Sequence, residues 1–321
     1  MTRSMPWARL RDWAELLRVP ALFTVPGDAL AGAAAAGLRP NRGTTYAACA
    51  SLCLYQAGMA LNDWADRDED AVDRPQRPVP SGRISPTAAL GAAGLLTAAG
   101  LTFAARAGRP ALGLASALTA TVWAYDLRLK HTAAAPAAMA AARALDLLLG
   151  ATATLSVPDA RRSRRRAADT TSPKTAPRTT TSAVAPAAPR TTTSAVALAA
   201  HTYAVTVVSR HEAHGGSTLT PLAALTTTTV LGLLLARTSA STGLVPAWAA
   251  AAYVRTAAVP CLHAALNPSP HLTQRAVGGG IRAMIPLQAA LAARSGASAT
   301  ALAVLGLAPV ARTLARKVSP T

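Results

Sequence analysis

The chain has 321 residues; 51% are apolar, 14% charged and 4% aromatic, and the formal net charge is +18. A soluble domain carries nearer a quarter charged residues, so an ordinary water-soluble globule is excluded. A nucleic-acid reader is also disfavoured, because no reader motif or aromatic stacking pattern accompanies the arginines. The basic excess suits helix ends beside anionic lipid and an anionic ligand such as a diphosphate.

In chain order, residues 1–18 mix Arg3, Arg9, Arg11 and Arg18 with acids. They hold no compact apolar stretch with a small-residue cleavage site, so no cleavable signal peptide is expected. A spanning helix needs about 20 mostly apolar residues. Runs of that kind lie near 19–38, 44–62, 85–105, 110–127, 133–155, 195–209, 218–236, 244–266 and 281–317. The last is long enough to hold two helices, broken around Ser295 and Gly296. The expected fold class is therefore all-α, a polytopic membrane protein of about nine transmembrane helices. Recurrent Ala and Gly favour close helix packing in lipid. Cys49, Cys53 and Cys261 read as packing residues, since no further metal ligands accompany them. His201 and His263, each alone in an apolar run, read the same way.

The segment LNDWADRDEDAVDRPQRPVPSGRIS, residues 61–85, carries the chemistry. At about 100° per residue, Asp63, Asp66 and Asp70 share a narrow arc, which Asn62 and Asp73 widen if one helix continues. Acids so aligned repel one another unless a cation intervenes, and hard oxygen ligands of this kind suit magnesium bridging to phosphates. Arg74, Arg77 and Arg83 follow at once and can bind diphosphate oxygens by forked hydrogen bonds. The bland alternative is a solvated, charged loop between helices. Further on, Arg143 and Asp146 stand i, i+3 in an apolar run, where ionisable groups pair or line a polar cavity.

Between 156 and 194 the composition changes. Arg161, Arg162, Arg164, Arg165 and Arg166 precede a Thr, Ala and Pro-rich stretch in which residues 177–188 (PRTTTSAVAPAA) recur as 189–200 (PRTTTSAVALAA). The copies differ at Pro186 and Leu198. This reads as a low-complexity insert dividing one membrane domain into residues 1–155 and 195–321.

The run Asn62-Asp63-x-x-Asp66-x-x-x-Asp70 followed by RPQRPVPSGRIS resembles the first aspartate-rich motif of the UbiA family of intramembrane prenyltransferases. Tyr125-Asp126 with Lys130 is similar to that family's tyrosine-and-lysine loop. The second acidic motif departs from the pattern: Ser209-Arg210-His211-Glu212-Ala213-His214-Gly215-Gly216 holds Glu212 as its sole acid. In this it is similar to a divergent bacterial branch, the EboC-like proteins.

The resemblance implies a helix bundle around a central cavity and transfer of an isoprenoid group from a prenyl diphosphate to a small or lipid-soluble acceptor. It implies magnesium on Asn62, Asp63, Asp66, Asp70 and Glu212. Asp66, Asp70 and Glu212 form the catalytic set. Asn62, Arg74, Arg77, Lys130, Arg143 and Arg210 are the expected substrate-binding residues, with a structural ion pair to Asp146 the alternative for Arg143. The partners are prenyl diphosphate, an acceptor and membrane lipid, not nucleic acid. The expected location is the bacterial plasma membrane with the 61–85 and 209–217 loops cytoplasmic. The rival reading is a non-catalytic transporter or accessory membrane protein on the same fold.

Overall fold

The computed structural model describes residues 6–157, 187–212, 215–237 and 244–318. The described residues are helical and include no strand. The chain opens with α1 (Pro6–Leu16), a 3-10 turn (Val19–Thr24) and the short α2 (Pro26–Ala35). Next come α3 (Arg42–Ala65), α4 (Arg67–Asp73), α5 (Pro86–Ala107) and α6 (Arg109–Ala124), which runs into a π-helical turn (Tyr125–Leu129). The remainder is α7 (Ala135–Ser156), α8 (Ala187–Ser209), α9 (Leu219–Ala236), α10 (Val245–Leu266), α11 (Pro270–Arg294) and α12 (Ser298–Val318).

Five of these, α5, α7, α9, α10 and α11, are long and apolar enough to cross a membrane. α3, α6 and α8 overlap the 44–62, 110–127 and 195–209 runs, while two of the nine expected runs differ for physical reasons. The 19–38 run is broken at Val25 and Pro26, leaving a helix of 10 residues. The final run is indeed two helices, parted at Ser295 and at Gly296, whose φ of 83° suits a residue without a side chain. Its first helix starts at Pro270, eleven residues before the apolar run begins, because His271, Gln274 and Arg275 dilute the hydropathy there.

The insert is shorter than its composition suggested. Its second repeat copy lies inside α8, with Ala195, Ala197 and Leu198 buried in the main apolar cluster. That copy is therefore structure rather than linker. Residues 158–186, with the first copy and the arginine cluster, lie outside the described residues.

Local signals fix several boundaries. The Asn41 side chain accepts from Gly43 N (2.8 Å) and Thr44 N (3.2 Å), while Thr44 Oγ1 accepts from Asn41 N, a reciprocal cap on α3. The same Asn41 amide donates to Thr154 O and Val157 O at 3.0 Å each, so one residue joins the start of α3 to the end of α7. α5 starts with a one-way cap, Ser85 Oγ accepting from Ala88 N at 3.2 Å, and with Pro86 in its first turn.

The core is made largely of alanine. Ala289, Ala290, Ala292 and Ala293 are fully buried, and α11 is enclosed by its neighbours. Methyl side chains let helix backbones approach until dispersion rather than bulk fills the space. One of the closest approaches is between α2 and α7. A Cβ on Gly32 would collide with the backbone of Leu147 and Ala151, and one on Gly150 with that of Ala29. This contact carries Asp28 beside Arg143, so the glycines position charged groups as well as helices. Cys49 and Cys53 are half-buried, Cys261 is buried, and none forms a disulfide. His201 is a buried packing residue, hydrogen-bonded to Tyr253 Oη and Gly280 O at 3.0 Å each. His263 instead lies on an exposed face of α10.

Candidate functional site

The acidic segment is not one helix. It breaks at Asp66 (φ −91°, ψ 4°), where α3 ends and α4 begins. The break keeps Asp63 and Asp70 buried, at 3% and 4% exposure, and turns Asp73 outward. The arc drawn for a continuous helix thus holds for Asn62, Asp63, Asp66 and Asp70 and fails for Asp73.

Every carboxylate of that group meets a cation of the chain. Arg77 Nη1 lies 2.6 Å from Asp70 Oδ2 and 3.6 Å from Asp63 Oδ1. Arg74 is 3.9 Å from the other Asp70 oxygen, and Arg18 is 3.5 Å from Asp63. Lys130, from the end of the π-helical turn, pairs with Asp66. Asn62 Nδ2 donates to Asp66 Oδ2 at 3.1 Å and to Asp126 Oδ1 at 3.3 Å. The π-helical turn explains the geometry: its wider coil carries both Asp126 and Lys130 toward α3. Ligand atoms of Asp66, Glu69 and His131 also fall within 4.8 Å of one another.

Arg18, Asn62 and Asp126 of this group line a cavity of about 250 Å³ between α3, α6 and α7, which Asp63 and Asp66 adjoin through Arg18 and Asn62. Its walls include Leu54, Met59, Leu118 and Val122, and Asn62, Asp126 and Arg18 reach its polar end. Deeper in, Ser51, Tyr55, Arg143 and Asp146 line it. Arg143 does not simply pair with Asp146: its Nη1 donates to Asp28 Oδ2 at 2.5 Å, while Asp146 accepts from Ser51. Gln288 completes the network by donating to Asp28 Oδ1 and Thr24 O, each at 2.7 Å. Arg83, expected near diphosphate, is held elsewhere by Asp12 (2.6 Å) and Glu15 (2.8 Å). The hydrogen bond to Glu15, opposed by partial burial, raises its pKa further.

The second loop reaches this end of the bundle without joining the carboxylates. Arg210 Nη1 donates to Thr132 O at 2.6 Å. Glu212 is half-buried; burial raises its carboxyl above the ordinary value, and Arg74 opposes that shift. Among the described residues, Glu212 is not grouped with the first motif as a possible metal cluster. The His211 ring has a long contact of 3.4 Å to Val207 O, and His214 lies outside the described residues.

The profile of the UbiA prenyltransferase family matches residues 21–267. The chain belongs to that family. It is 35% identical over 128 residues to the digeranylgeranylglyceryl phosphate synthase of Methanopyrus kandleri, covering 38% of this chain and 45% of that one. It is 40% identical over 94 residues to the protoheme IX farnesyltransferase of Acidiphilium cryptum, covering 28% and 29%. The chain thus spans less than half the length of these curated relatives. A UbiA homologue from Aeropyrum pernix K1 shares the fold at TM-score 0.58 and 15% identity, over 84% of this chain and 96% of that one. Another, from Archaeoglobus fulgidus bound to GPP and Mg2+, does so at 0.55 and 15%, over 92% and 99%. With five membrane-length apolar helices, this UbiA family member is an integral membrane protein.

Two site residues were missed in the sequence. Arg18 follows α1 with a left-handed φ of 47°, rare for a residue with a side chain; no local pattern marked it. Asp126 had a signal, an acid inside an apolar run beside Tyr125, and was read only as part of the loop.

Proposed function

We propose that this UbiA family member transfers a prenyl group from a prenyl diphosphate to a small or lipid-soluble acceptor at the mouth of the α3–α6–α7 cavity. The observation that carries this reading is a set of aspartates, each paired with a cation of the chain, joined through Arg18 and Asn62 to a largely apolar cavity. The donors fit magnesium: Asn62, Asp63, Asp66 and Asp70 are hard oxygen ligands, and Lys130 and Arg77 now stand on the carboxylates that a metal ion would neutralise. Bound there, magnesium would stabilise the negative charge that develops as diphosphate departs.

The chain's own residues supply the rest. Lys130, Arg77 and Arg74 carry the charge needed to bind the diphosphate oxygens, Arg as a fork and Lys as a point charge. Arg210, on the neighbouring loop, adds a further positive charge. Arg143 acts deeper, keeping the Asp28 carboxylate neutralised along the cavity floor. The apolar walls hold the prenyl chain and exclude bulk water, which would otherwise compete with the acceptor. Glu212 fits a base better than a metal ligand, because its carboxyl is raised by burial and its electrostatic neighbour is Arg74. The loops bearing these residues face the cytoplasm of a bacterial plasma membrane, with Arg128 and Lys130 on the inside.

The test is incubation of membranes containing the full chain with a labelled prenyl diphosphate and a panel of acceptors. Magnesium-dependent release of diphosphate with a labelled lipid-soluble product is the expected result. Binding of the prenyl diphosphate with neither release nor product would favour a non-catalytic protein on the same fold.

A further inference from the structure

A second cavity, of about 460 Å³, lies where α8 and α10 begin and α9 and α11 end. It is far from the acidic segment. Helix α8 runs 23 residues from this cavity to the turn before Glu212, or roughly 34 Å at 1.5 Å per residue. The two cavities therefore open at opposite ends of the bundle.

Three arginines border it: Arg190 on α8, Arg237 just past α9, and Arg294 at the end of α11. Among the described residues, no Asp or Glu lines it. Arg294 donates to Leu234 O, which uses one of its five N–H groups. The positive dipole ends of α8 and α10 meet the negative ends of α9 and α11 here, so the net positive charge of the cavity comes from the arginines themselves. Thr193 and Ser194 offer hydroxyls from the next turn of α8. Three like charges gathered at a helix-bundle end repel one another unless an anion joins them.

Under the arginines the wall is apolar and open to the side. Leu231 and Leu235 close its back, while Val196 and Leu234 on its flank are 61% and 42% exposed. An inorganic anion would leave this flank unused. An amphiphile with a phosphate head would use both parts.

We infer that this cavity binds an anionic phospholipid. Its phosphate meets Arg190, Arg237 and Arg294, and one acyl chain lies along Val196, Leu231 and Leu234. The site is separate from the transfer site and does not depend on catalysis. It also gives a role to arginines on the face opposite the active-site loops, where basic residues run against the usual membrane charge bias.

The test uses the full chain, purified in a neutral detergent and delipidated, in native mass spectrometry and thermal melting. Added phosphatidylglycerol should stay bound and raise the melting temperature; phosphatidylcholine and inorganic phosphate should do so far less. Each of Arg190→Gln, Arg237→Gln and Arg294→Gln should weaken phosphatidylglycerol binding about fivefold. The inference is overturned if the arginine variants bind phosphatidylglycerol as the parent does, or if inorganic phosphate reproduces the whole shift. Competition on the parent alone covers the case of variants that do not survive extraction. Soluble glycerol phosphate should displace the lipid only weakly, and displacement at equal affinity would show that no acyl chain is held.

Discussion

The acidic segment Asn62–Arg77 and the turn Ser209–Glu212 meet at one end of the bundle, yet they treat charge in different ways. In the first, three aspartates lie within reach of four cations, and two of them, Asp63 and Asp70, are almost wholly buried. In the second, one half-buried carboxyl has only the field of Arg74. Buried charges persist when paired and hydrogen-bonded, so the first segment is a built charge cluster. The second is a single titratable group beside it. In the proposed reaction, anion and metal chemistry would rest on α3, α4 and the π-helical turn, with the second loop supporting them.

The strongest way to break this comparison is at the first segment. Asp66→Asn and Asp70→Asn should each lower transfer by about a hundredfold or more while the protein remains in the membrane. Asp73→Asn, outside the helix break, should match the parent. Initial rates of labelled product formation decide this, and equal losses in all three variants would mean that the break at Asp66 has no functional meaning.

A second substitution compares the two repeat copies. Leu198, fully buried in α8, stands where the first copy has Pro186. Leu198→Pro removes a helix hydrogen bond and clashes with the preceding turn, at a cost of about 3 kcal/mol or more, besides emptying a core position. Thermal melting in detergent should show a large fall. An unchanged melting curve would mean that the second copy is linker after all.

Glu212→Gln should reduce transfer by about tenfold and leave prenyl diphosphate binding intact, with the residual rate rising at higher pH. Its stability effect has a definite sign. A carboxyl raised in the folded state favours folding below its ordinary pKa, and that contribution is lost as pH rises through the raised value. Gln has no charge to lose, so the variant should melt slightly higher than the parent at neutral pH and level with it in acid. The gap should stay under about 1 kcal/mol because solvent screens a half-exposed group. A variant that transfers at the parent rate would make Glu212 a loop residue.

The smallest effect should come from deleting residues 160–184. Shortening a connection changes loop-closure entropy slowly, so transfer should stay within about twofold. Extending the deletion to 200 removes the first half of α8 and should abolish stable expression; if both deletions behave alike, the boundary at Ala187 is wrong.

Much of the site was legible because its signals are local. Asn62, Asp63, Asp66 and Asp70 sit at fixed spacing, and the Pro and Arg residues after them mark a loop whatever the tertiary context. The break at Ser295 and Gly296 was equally readable. The start of α8 was not: its first turns read as a Thr-rich repeat, since polar helical residues carry no apolar period. Arg18 was invisible because nothing near it in the chain distinguishes it from other arginines.

The sequence by itself determined the membrane-helical class, the acidic motif and the family, since each rests on composition or on spacing within a few turns. Tertiary structure alone decided which charges meet. Asp28 finds Arg143 from 115 residues away because Gly32 and Gly150 let α2 and α7 touch. Lys130 and Asp126 reach Asp66 and Asn62 because a π-helical turn widens the coil at that point. Pairings of that kind depend on how closely backbones approach, and no local pattern along the chain encodes that distance.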